Sequence, residues 1–309
     1  MTIGEHLSEF DDLPVVDFAQ LSQKGDPLPP AASAAWRVAT EFDGTPFDKV
    51  FENFLEQVDT SQVTSLVIGY WGASYDAGAV EPVGLLAGAA ERLPNLRALF
   101  LGDIVLEESE ISWIEHSSIT PLFTAFPGLT RFEVRGAQGL ALEPIRSEKL
   151  KVLRFESGGL PAAVVRAVAA SDLPNLERLD LWLGVEDYGG DATMADLAPI
   201  LDGERLPALR HLGLEDSQIQ DEIAAAVAGA PIVARLTTLS LAMGMLTDEG
   251  AEALLSGQPL THLKFLDLHH HFLSDGMVAR IHAALPDVPV ASGEQEKPDG
   301  DWRYVAVSE

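Results

Sequence analysis

The 309-residue sequence contains no cysteine. Disulfide bonds, metal sites with thiolate ligands and cysteine nucleophiles are therefore excluded. Disulfide bonds persist mainly in oxidising compartments, so their exclusion favours a reducing one. The sequence also lacks an apolar run long enough to span a bilayer, and its acidic beginning lacks the apolar core of a signal peptide. We therefore expect a cytoplasmic protein without a membrane partner.

Basic residues are scarce. The chain has 20 lysines and arginines against 48 aspartates and glutamates, which gives a formal net charge of −28. Because nucleic-acid binding depends on counterion release to a basic surface, we expect no nucleic-acid partner. Such acidity commonly keeps a cytoplasmic protein soluble. The functional alternative is that it attracts a basic or arginine-presenting protein.

Common catalytic motifs are also missing. The chain has no G-x-x-x-x-G-K-[ST] phosphate loop, no G-x-G-x-x-G turn, no G-x-S-x-G elbow and no H-E-x-x-H helix. Asp267 and His269 share one side of a strand by parity, which makes them a weak candidate for metal ligands. No second cluster must converge on them, so we interpret this segment as a turn. We expect no cofactor, no metal and no enzyme activity.

A phrase of the form L-x-x-L-x-L recurs along the chain. Clear copies carry apolar residues at Leu96/Leu99/Leu101, Leu129/Phe132/Val134, Leu176/Leu179/Leu181, Leu209/Leu212/Leu214 and Leu263/Leu266/Leu268. Weaker copies carry them at Val63/Leu66/Ile68, Leu150/Leu153/Phe155 and Leu236/Leu239/Leu241. The first positions are separated by 33, 33, 21, 26, 33, 27 and 27 residues, which indicates a repeated structural unit.

Each copy predicts a short strand, because its last two apolar residues are two positions apart and point to the same side. Apolar residues at three- and four-residue spacing follow most copies, as in Ala162 to Val168, and predict a helix. Parallel strands alternating with outer helices form an α/β solenoid. The step from residue 129 to residue 150 is too short for a helix, so we expect a thinner repeat there.

The helices open on small polar phrases, such as Thr247-Asp248-Glu249-Gly250-Ala251 and Ser274-Asp275-Gly276. With the L-x-x-L-x-L copies, these phrases resemble the ribonuclease-inhibitor-like subclass of leucine-rich-repeat proteins. The resemblance implies a horseshoe of about eight repeats with a parallel sheet on the concave face and helices on the convex face. More widely, the chain resembles an uncharacterised bacterial cytoplasmic leucine-rich-repeat family, which implies a scaffold or recognition role in a peptide or metabolite modification pathway.

The predicted organisation is an N-terminal cap at residues 1–60, a solenoid at 61–285 and a C-terminal cap strand within 286–309. In the first cap, residues 36–42 alternate like a strand, residues 47–55 are amphipathic like a helix, and residues 20–31 indicate a loop. We expect residues 302–307 to form the strand that covers the last edge of the sheet.

Residues beside the strand leucines should line the concave face. As candidate partner-binding residues there we take Arg131, Arg135, Arg154, Arg178, Asp180, Trp182 and His211. A small basic patch within an acidic protein is typical of a site for an acidic ligand or partner. The structural alternative is that Glu133, Glu156 and Asp180 neutralise these arginines in cross-strand ion pairs.

Aromatic residues follow the strands of the longest repeats. As candidate partner-binding residues on this loop edge we take Tyr70, Trp71, Tyr75, Trp113 and Tyr188. Exposed aromatics on loops supply much of the energy of recognition surfaces. Alternatively, Trp71 and Trp113 fold back as local plugs.

The sequence therefore predicts a non-enzymatic interaction module or scaffold that binds a protein partner through the concave face and the loop edge. The alternative is an enzyme or small-ligand-binding protein with a site near Arg131, Arg154, Asp180 and His211. An enclosed pocket with shifted pKa values would favour that alternative, and a broad open surface would favour the binding module.

Overall fold

Short strands alternate with helices along the chain. In the computed structural model, which describes residues 4–72, 81–300 and 302–309, the chain forms two units. The first unit comprises Met1–Leu142 and Lys149–Val152, and the second comprises Glu143–Glu148 and Leu153–Glu309. In each unit the strands lie mainly parallel and in chain order. A repeat-type α/β fold results, because each parallel strand is reached through a crossover from its neighbour.

The first unit begins with an antiparallel hairpin and continues as a parallel sheet. Its strands are β1 (Glu9–Phe10), β2 (Leu13–Asp17), β3 (Ala35–Val38), β4 (Ser65–Ile68), β5 (Ala98–Leu101) and β6 (Arg131–Arg135). Its α-helices are α1 (Phe18–Lys24), α2 (Phe47–Gln57), α3 (Pro82–Gly88) and α4 (Thr120–Ala125). Short 3₁₀ helices lie at Ala31–Ser33, Thr60–Gln62, Ala90–Arg92 and Ile111–Trp113.

The second unit repeats the alternation with longer strands. Its strands are β7 (Val152–Glu156, of which Val152 belongs to the first unit), β8 (Arg178–Gly184), β9 (His211–Ser217), β10 (Thr238–Ser240), β11 (Phe265–Asp267) and β12 (Val290–Ala291). Its α-helices are α5 (Ala162–Ala170), α6 (Met194–Asp202), α7 (Gln220–Val227), α8 (Asp248–Ser256) and α9 (Asp275–Ala284). Short 3₁₀ helices lie at Glu186–Tyr188 and Pro231–Arg235. Strands β8 to β12 are parallel.

The repeated leucines form the core. No residue of the eight apolar triplets is more than 4% exposed. In the second unit Leu179, Leu212, Leu239 and Leu266 lie beside one another on successive strands. Each buried leucine contributes about 1.5 to 3 kcal/mol, but only because a neighbouring strand and helix cover it.

The polar phrases at the helix starts connect neighbouring helices. The Asp221 carboxylate of α7 accepts hydrogen bonds from the backbone N and Oγ1 of Thr247, at 2.8 and 2.6 Å, just before α8. Asp248 of α8 accepts in the same way from Ser274, at 2.7 Å from both atoms, just before α9. Each aspartate thus fixes the start of the next helix and satisfies donors that no intrahelical bond reaches.

Several local predictions are confirmed. Strand β3 overlaps the start of the strand predicted at residues 36–42, and helix α2 includes the helix predicted at residues 47–55. The chain forms no helix between Arg135 and Val152, all of which the structure describes. The buried side chains of Leu140, Leu142 and Ile145 lie in that short step.

Two predictions need correction. Residues 20–31 are not one loop, because α1 extends to Lys24 and ends at Gly25 in a left-handed conformation. The last edge strand is Val290–Ala291, and residues 302–307 form no strand. Residues 302–309 instead bond to Asp216 near the end of β9 and to Met243 and His270 after β10 and β11, because their backbone groups find acceptors and donors there.

Candidate binding surfaces

The non-core face of each sheet carries the strand residues that alternate with the buried leucines. Three arginines on it pair through Nε with the carboxylate two residues later on the same strand. The distances are 2.6 Å for Arg131 and Glu133, 3.0 Å for Arg154 and Glu156, and 2.6 Å for Arg178 and Asp180. The predicted neutralisation therefore occurs within each strand, because residues two apart point to the same side.

Asp180 is the centre of a charge cluster in the second unit. Its side chain is inaccessible to solvent, and its Oδ1 lies 2.6 Å from Nε2 of His211 on the adjacent strand. Burial disfavours the charged carboxylate, but the His211 hydrogen bond and the charges of His211, Arg178 and Arg154 outweigh burial and lower the pKa of Asp180 to about 2. Asp180 therefore stays ionised and holds the Arg178 and His211 side chains in place.

A second buried carboxyl, Glu215, lies on the next strand. It accepts a 2.9 Å hydrogen bond from Nε1 of Trp182, and the Arg154 guanidinium lies 5.3 Å from the Trp182 ring centre. Burial first and the charge of Asp180 second raise the pKa of Glu215, against the opposing effects of Ser240, Arg154 and His211. The two carboxyls thus have pKa values shifted in opposite directions.

Accessibility separates the candidate residues of this cluster. The side chain of Arg178 is 43% exposed, that of His211 19% and that of Arg154 11%. Trp182 and Asp180 are buried and support the other side chains from beneath. Within the part of the chain that the structure describes, neither Nη atom of Arg178 has an acceptor. Arg178 thus presents a fixed guanidinium with its outer edge free.

The first unit covers its own non-core face. Phe10 of the N-terminal hairpin packs with Ala35, Val67, Ala98 and Phe100. Phe10 and Phe100 meet edge to face, with ring centres 5.8 Å apart. Arg131 lies over the Phe10 ring at 4.6 Å and its side chain is 31% exposed. Of the arginines predicted here, Arg131 is the accessible one, because the hairpin ends beside it.

Arg135 and Arg37 lie beneath this cover. Arg135 is 2% exposed and its guanidinium is 5.4 Å from the Phe100 ring centre. The buried Arg37 bonds to Asp17 at 2.7 Å and to Asp103 at 2.9 Å. Although burial opposes ionisation, His6 and the two arginines lower the pKa of Asp103. Arg37 therefore ties β2 to Asp103 after β5, and the buried Arg135 does not present a surface.

The candidate aromatic residues of the loop edge divide in the same way. Tyr70 and Trp71 are 4% and 7% exposed, and the Trp71 ring lies 5.3 Å from that of His116. The structure therefore places Trp71 as a local plug. Trp113 is 63% exposed, whereas Tyr188 is 36% exposed and donates a hydrogen bond to Glu309. Tyr75 lies outside the described residues.

Trp113 belongs to an acidic loop of the first unit. Leu106, in the same loop, is 55% exposed. The exposed carboxyl residues beside these two side chains are Glu107, Glu110 and Glu115. Large exposed apolar side chains within a charged rim are typical of protein-interaction surfaces.

Metal and pocket chemistry are limited. Asp267 and His269 form a 2.8 Å pair that raises the pKa of His269 through their hydrogen bond. Among the described residues, no three His, Asp or Glu side chains are grouped so as to hold a metal ion. A cavity of about 110 Å³ in the first unit is lined by α1, α2 and the loop between β3 and α2, and Glu41 is its one ionisable residue. None of the described helices is both long and apolar enough to cross a membrane.

Sequence reasoning missed Arg37 and Asp103 as members of these clusters. Strand parity was the available signal for Arg37, which alternates with core residues on β3, but not for Asp103, which shares the parity of Leu99 and Leu101. Parity gives the side of the sheet but not the depth of burial, which depends on the N-terminal hairpin and on neighbouring strands.

Comparison with known proteins supports the fold described above. No protein-family model matches the chain, and no curated protein does. The crystal structure of a Bacteroides fragilis protein, a structural-genomics target, superposes with a TM-score of 0.79 at 30% identity, over 94% of this chain and 83% of that one. The chain belongs to the same family as this Bacteroides protein. The similarity supports the repeat-type α/β fold and carries no activity.

Proposed function

We propose that the chain is a leucine-rich-repeat protein of the ribonuclease-inhibitor-like subclass and works as a non-enzymatic binding module for a protein partner. The complete burial of the repeated leucines and the capped helix starts support the subclass. The absence of cysteine supports a cytoplasmic location.

The observation that carries this proposal is the fixed, outward-facing guanidinium of Arg178. Asp180 binds its Nε at 2.6 Å, and His211 binds the other oxygen of the same carboxylate at 2.6 Å. Holding the side chain in this way removes part of the conformational entropy that a flexible arginine loses on binding. The free Nη edge matches the two oxygens of a carboxylate.

The exposed acidic loop around Trp113 supplies a second contact of the opposite sign. Exposed tryptophan contributes strongly to interface energies when a partner desolvates it. Glu107, Glu110 and Glu115 favour basic groups around that anchor. Arg178 therefore suits a carboxylate of a partner, and the loop is a separate candidate contact that suits an apolar, basic patch.

The test is affinity capture from native lysate, followed by titration of the purified partner against the wild type and two charge-reversal variants. Arg178→Glu removes the proposed contact. Arg280→Glu is the matched control, because Arg280 is an exposed arginine of the same unit that pairs with Glu252 on the helices. Circular dichroism checks that both variants fold.

We expect the Arg178→Glu variant to bind the partner at least about tenfold more weakly, equivalent to about 1.4 kcal/mol, and Arg280→Glu to bind it unchanged. Equal losses in both variants would show that net charge alone matters. Unchanged binding by a folded Arg178→Glu variant would contradict the proposal.

A second candidate is an enzyme or small-ligand site formed by Arg154, Asp180 and His211 with Glu215. Opposite pKa shifts in two nearby carboxyls favour it, because such pairs often divide acid and base roles. Arg131, which was predicted near this site from the sequence, belongs to the first unit. Titration of the His211 ring by NMR with small carboxylates and phosphates tests it, and a saturable shift lost in Asp180→Asn supports a ligand site.

A further inference from the structure

Residues 302–309 cross the ends of three successive strands of the second unit. The Tyr304 carbonyl bonds to Nε2 of His270 at 3.1 Å, after β11. The Ala306 N–H donates to the Met243 carbonyl at 2.8 Å, after β10, and the Val307 N–H donates to Oδ1 of Asp216 at 2.9 Å, in β9. The segment thus crosses the ends of β9, β10 and β11, with a bend at Ala306.

The positions that the segment crosses have an unusual backbone. Asp216, Met243 and His270 each stand two residues after the last leucine of their triplet. All three are non-glycine residues in the left-handed region, with φ of 54°, 68° and 52°. This conformation costs a residue with a side chain about 1 to 2 kcal/mol. Strain repeated at equivalent positions indicates a functional demand on those positions.

We name Asp216, Met243 and His270 the ledge. The Asp216 carboxylate and the Met243 carbonyl accept hydrogen bonds from backbone N–H groups of the crossing segment, and the His270 imidazole bonds to a carbonyl of that segment. The backbone of a peptide that follows this path therefore meets a hydrogen-bond partner at each of three successive strands. Affinity from main-chain bonds with specificity from alternate side chains is a recurrent mode of peptide recognition.

Side chains of the crossing segment alternate. Val305 and Val307 are 5% and 7% exposed, whereas Ala306 between them is exposed. Gly158 closes one end of the path, since a Cβ placed there would lie 2.1 Å from the Ser308 carbonyl oxygen. The ledge thus accepts two branched apolar side chains separated by one residue. The path also requires glycine at position 158, because any side chain there would overlap the segment.

Covering the ledge also has a cost. Asp216 has no exposed surface, and its Oδ2 has no hydrogen-bond partner among the described residues. Water would solvate this oxygen if the segment left, because an unsatisfied buried carboxyl oxygen is costly. Burial of this oxygen therefore offsets part of the free energy that the hydrogen bonds of the segment contribute.

We propose that the ledge is a peptide-binding site that residues 302–309 occupy in this chain, and that a protein partner displaces them with a Val-x-Val segment of its own. This site is separate from the Arg178 contact proposed above. Either site can fail its test while the other stands.

The experiment uses the chain shortened to residues 1–301 and a fluorescent peptide with the sequence of residues 302–309. Fluorescence anisotropy should show saturable one-to-one binding to the shortened chain. The full chain, whose ledge is occupied, should bind the same peptide at least about tenfold more weakly. Peptides carrying Val305→Asp or Val307→Asp should not bind, and a peptide carrying Ala306→Ser should.

Two glycine substitutions in the shortened chain serve as a matched pair. Gly158→Ala should abolish peptide binding, because the new Cβ overlaps the path of the peptide. Gly229→Ala should leave binding unchanged, because a Cβ there meets nothing within 4 Å. A folded shortened chain that does not bind the peptide would overturn the proposal, as would binding that ignores Gly158→Ala or the two Val→Asp changes.

Hydrogen exchange in the full chain keeps the proposal testable if the shortened chain does not fold. The amides of Ala306 and Val307 should exchange well before the core strands, which shows local release of the segment. Exchange of those amides only with the core would make the segment a permanent part of the fold and overturn the proposal. Dimerisation of the full chain that truncation abolishes would assign the ledge to a second copy and overturn it as stated.

Discussion

His211 on β9 and Asp180 on β8 form a 2.6 Å hydrogen-bonded pair diagonally across two parallel strands. Arg178, two residues before Asp180, binds the other carboxylate oxygen at 2.6 Å. The buried Asp180 carboxylate thus positions two partly exposed side chains, Arg178 and His211. A buried charge is tolerated when it is paired in this way. Removal of one partner leaves the other charge buried and uncompensated, which destabilises the fold.

The Asp180→Asn change should destabilise the protein at neutral pH. The lowering of the Asp180 pKa from 3.8 to about 2 corresponds to about 2 kcal/mol, at 1.4 kcal/mol per pKa unit. Because the pKa is lowered in the folded state, this stability is present above pH 4 and is lost as the pH falls through 2. Urea unfolding at pH 7 and at acid pH measures it. The exposed Asp172, which pairs with Arg146, is the control, and equal effects of Asp172→Asn and Asp180→Asn would contradict the prediction.

The Asp216→Asn change should instead stabilise the protein at neutral pH. Burial first and the charge of Glu215 raise the pKa of Asp216 well above 3.8, although the backbone N–H groups of Val307 and Ala306 oppose this rise. A raised carboxyl pKa means that the folded state is favoured at low pH and loses stability as the pH rises through the folded-state value. Asparagine keeps an acceptor for the Val307 N–H, tolerates the left-handed backbone and removes the charge. We expect a higher melting temperature than wild type at pH 7, and little difference near pH 3.

Gly184 packs closely against the backbone of Gly158 in the second unit. Gly184 has φ of 69°, and a Cβ there would lie 1.9 Å from the Gly158 carbonyl oxygen. Gly184→Ala should therefore lower the free energy of unfolding by roughly 3 kcal/mol through strain and overlap. The matched change Gly229→Ala should be neutral or slightly stabilising, because it has space and an ordinary backbone. Denaturant titrations of the two variants decide between these outcomes.

The sequence predicted the core because leucine spacing and strand parity are local properties. Each triplet identifies its own inward residues, and the Thr or Ser before a helix identifies its start. The missing helix before Val152 was predictable from chain length alone. These features need no information from distant residues.

The covering segments could not be predicted for the opposite reason. The Arg37–Asp103 pair joins residues 66 positions apart, and the Val307–Asp216 bond joins residues 91 positions apart. Neither β1 nor residues 302–309 carry a leucine triplet, so nothing local fixes where they pack. Their positions decide which candidate residues are accessible, which explains why Arg135 is buried while Arg178 is exposed.

The Arg37→Gln change tests the covered cluster of the first unit. Arg37 and Asp103 have side chains that are 8% and 0% exposed, so the change leaves a buried carboxylate with weaker compensation. We expect a loss of about 3 to 5 kcal/mol in the free energy of unfolding. Lys49→Gln, which breaks the exposed pair with Glu52, should have no measurable effect. A small effect of Arg37→Gln would show that the N-terminal hairpin is only loosely held.

The Trp113→Ala change separates binding from stability. Trp113 is 63% exposed, so its truncation should change the free energy of unfolding by no more than about 0.5 kcal/mol. If the acidic loop contacts the partner, affinity should fall at least about tenfold, because tryptophan anchors dominate interface energies. Phe42, also 63% exposed and in the first unit, is the matched control for loss of an exposed aromatic. Titration of the captured partner against both variants measures the difference. Equal binding by Trp113→Ala and Phe42→Ala would remove the loop from the interface and leave Arg178 as the contact to pursue.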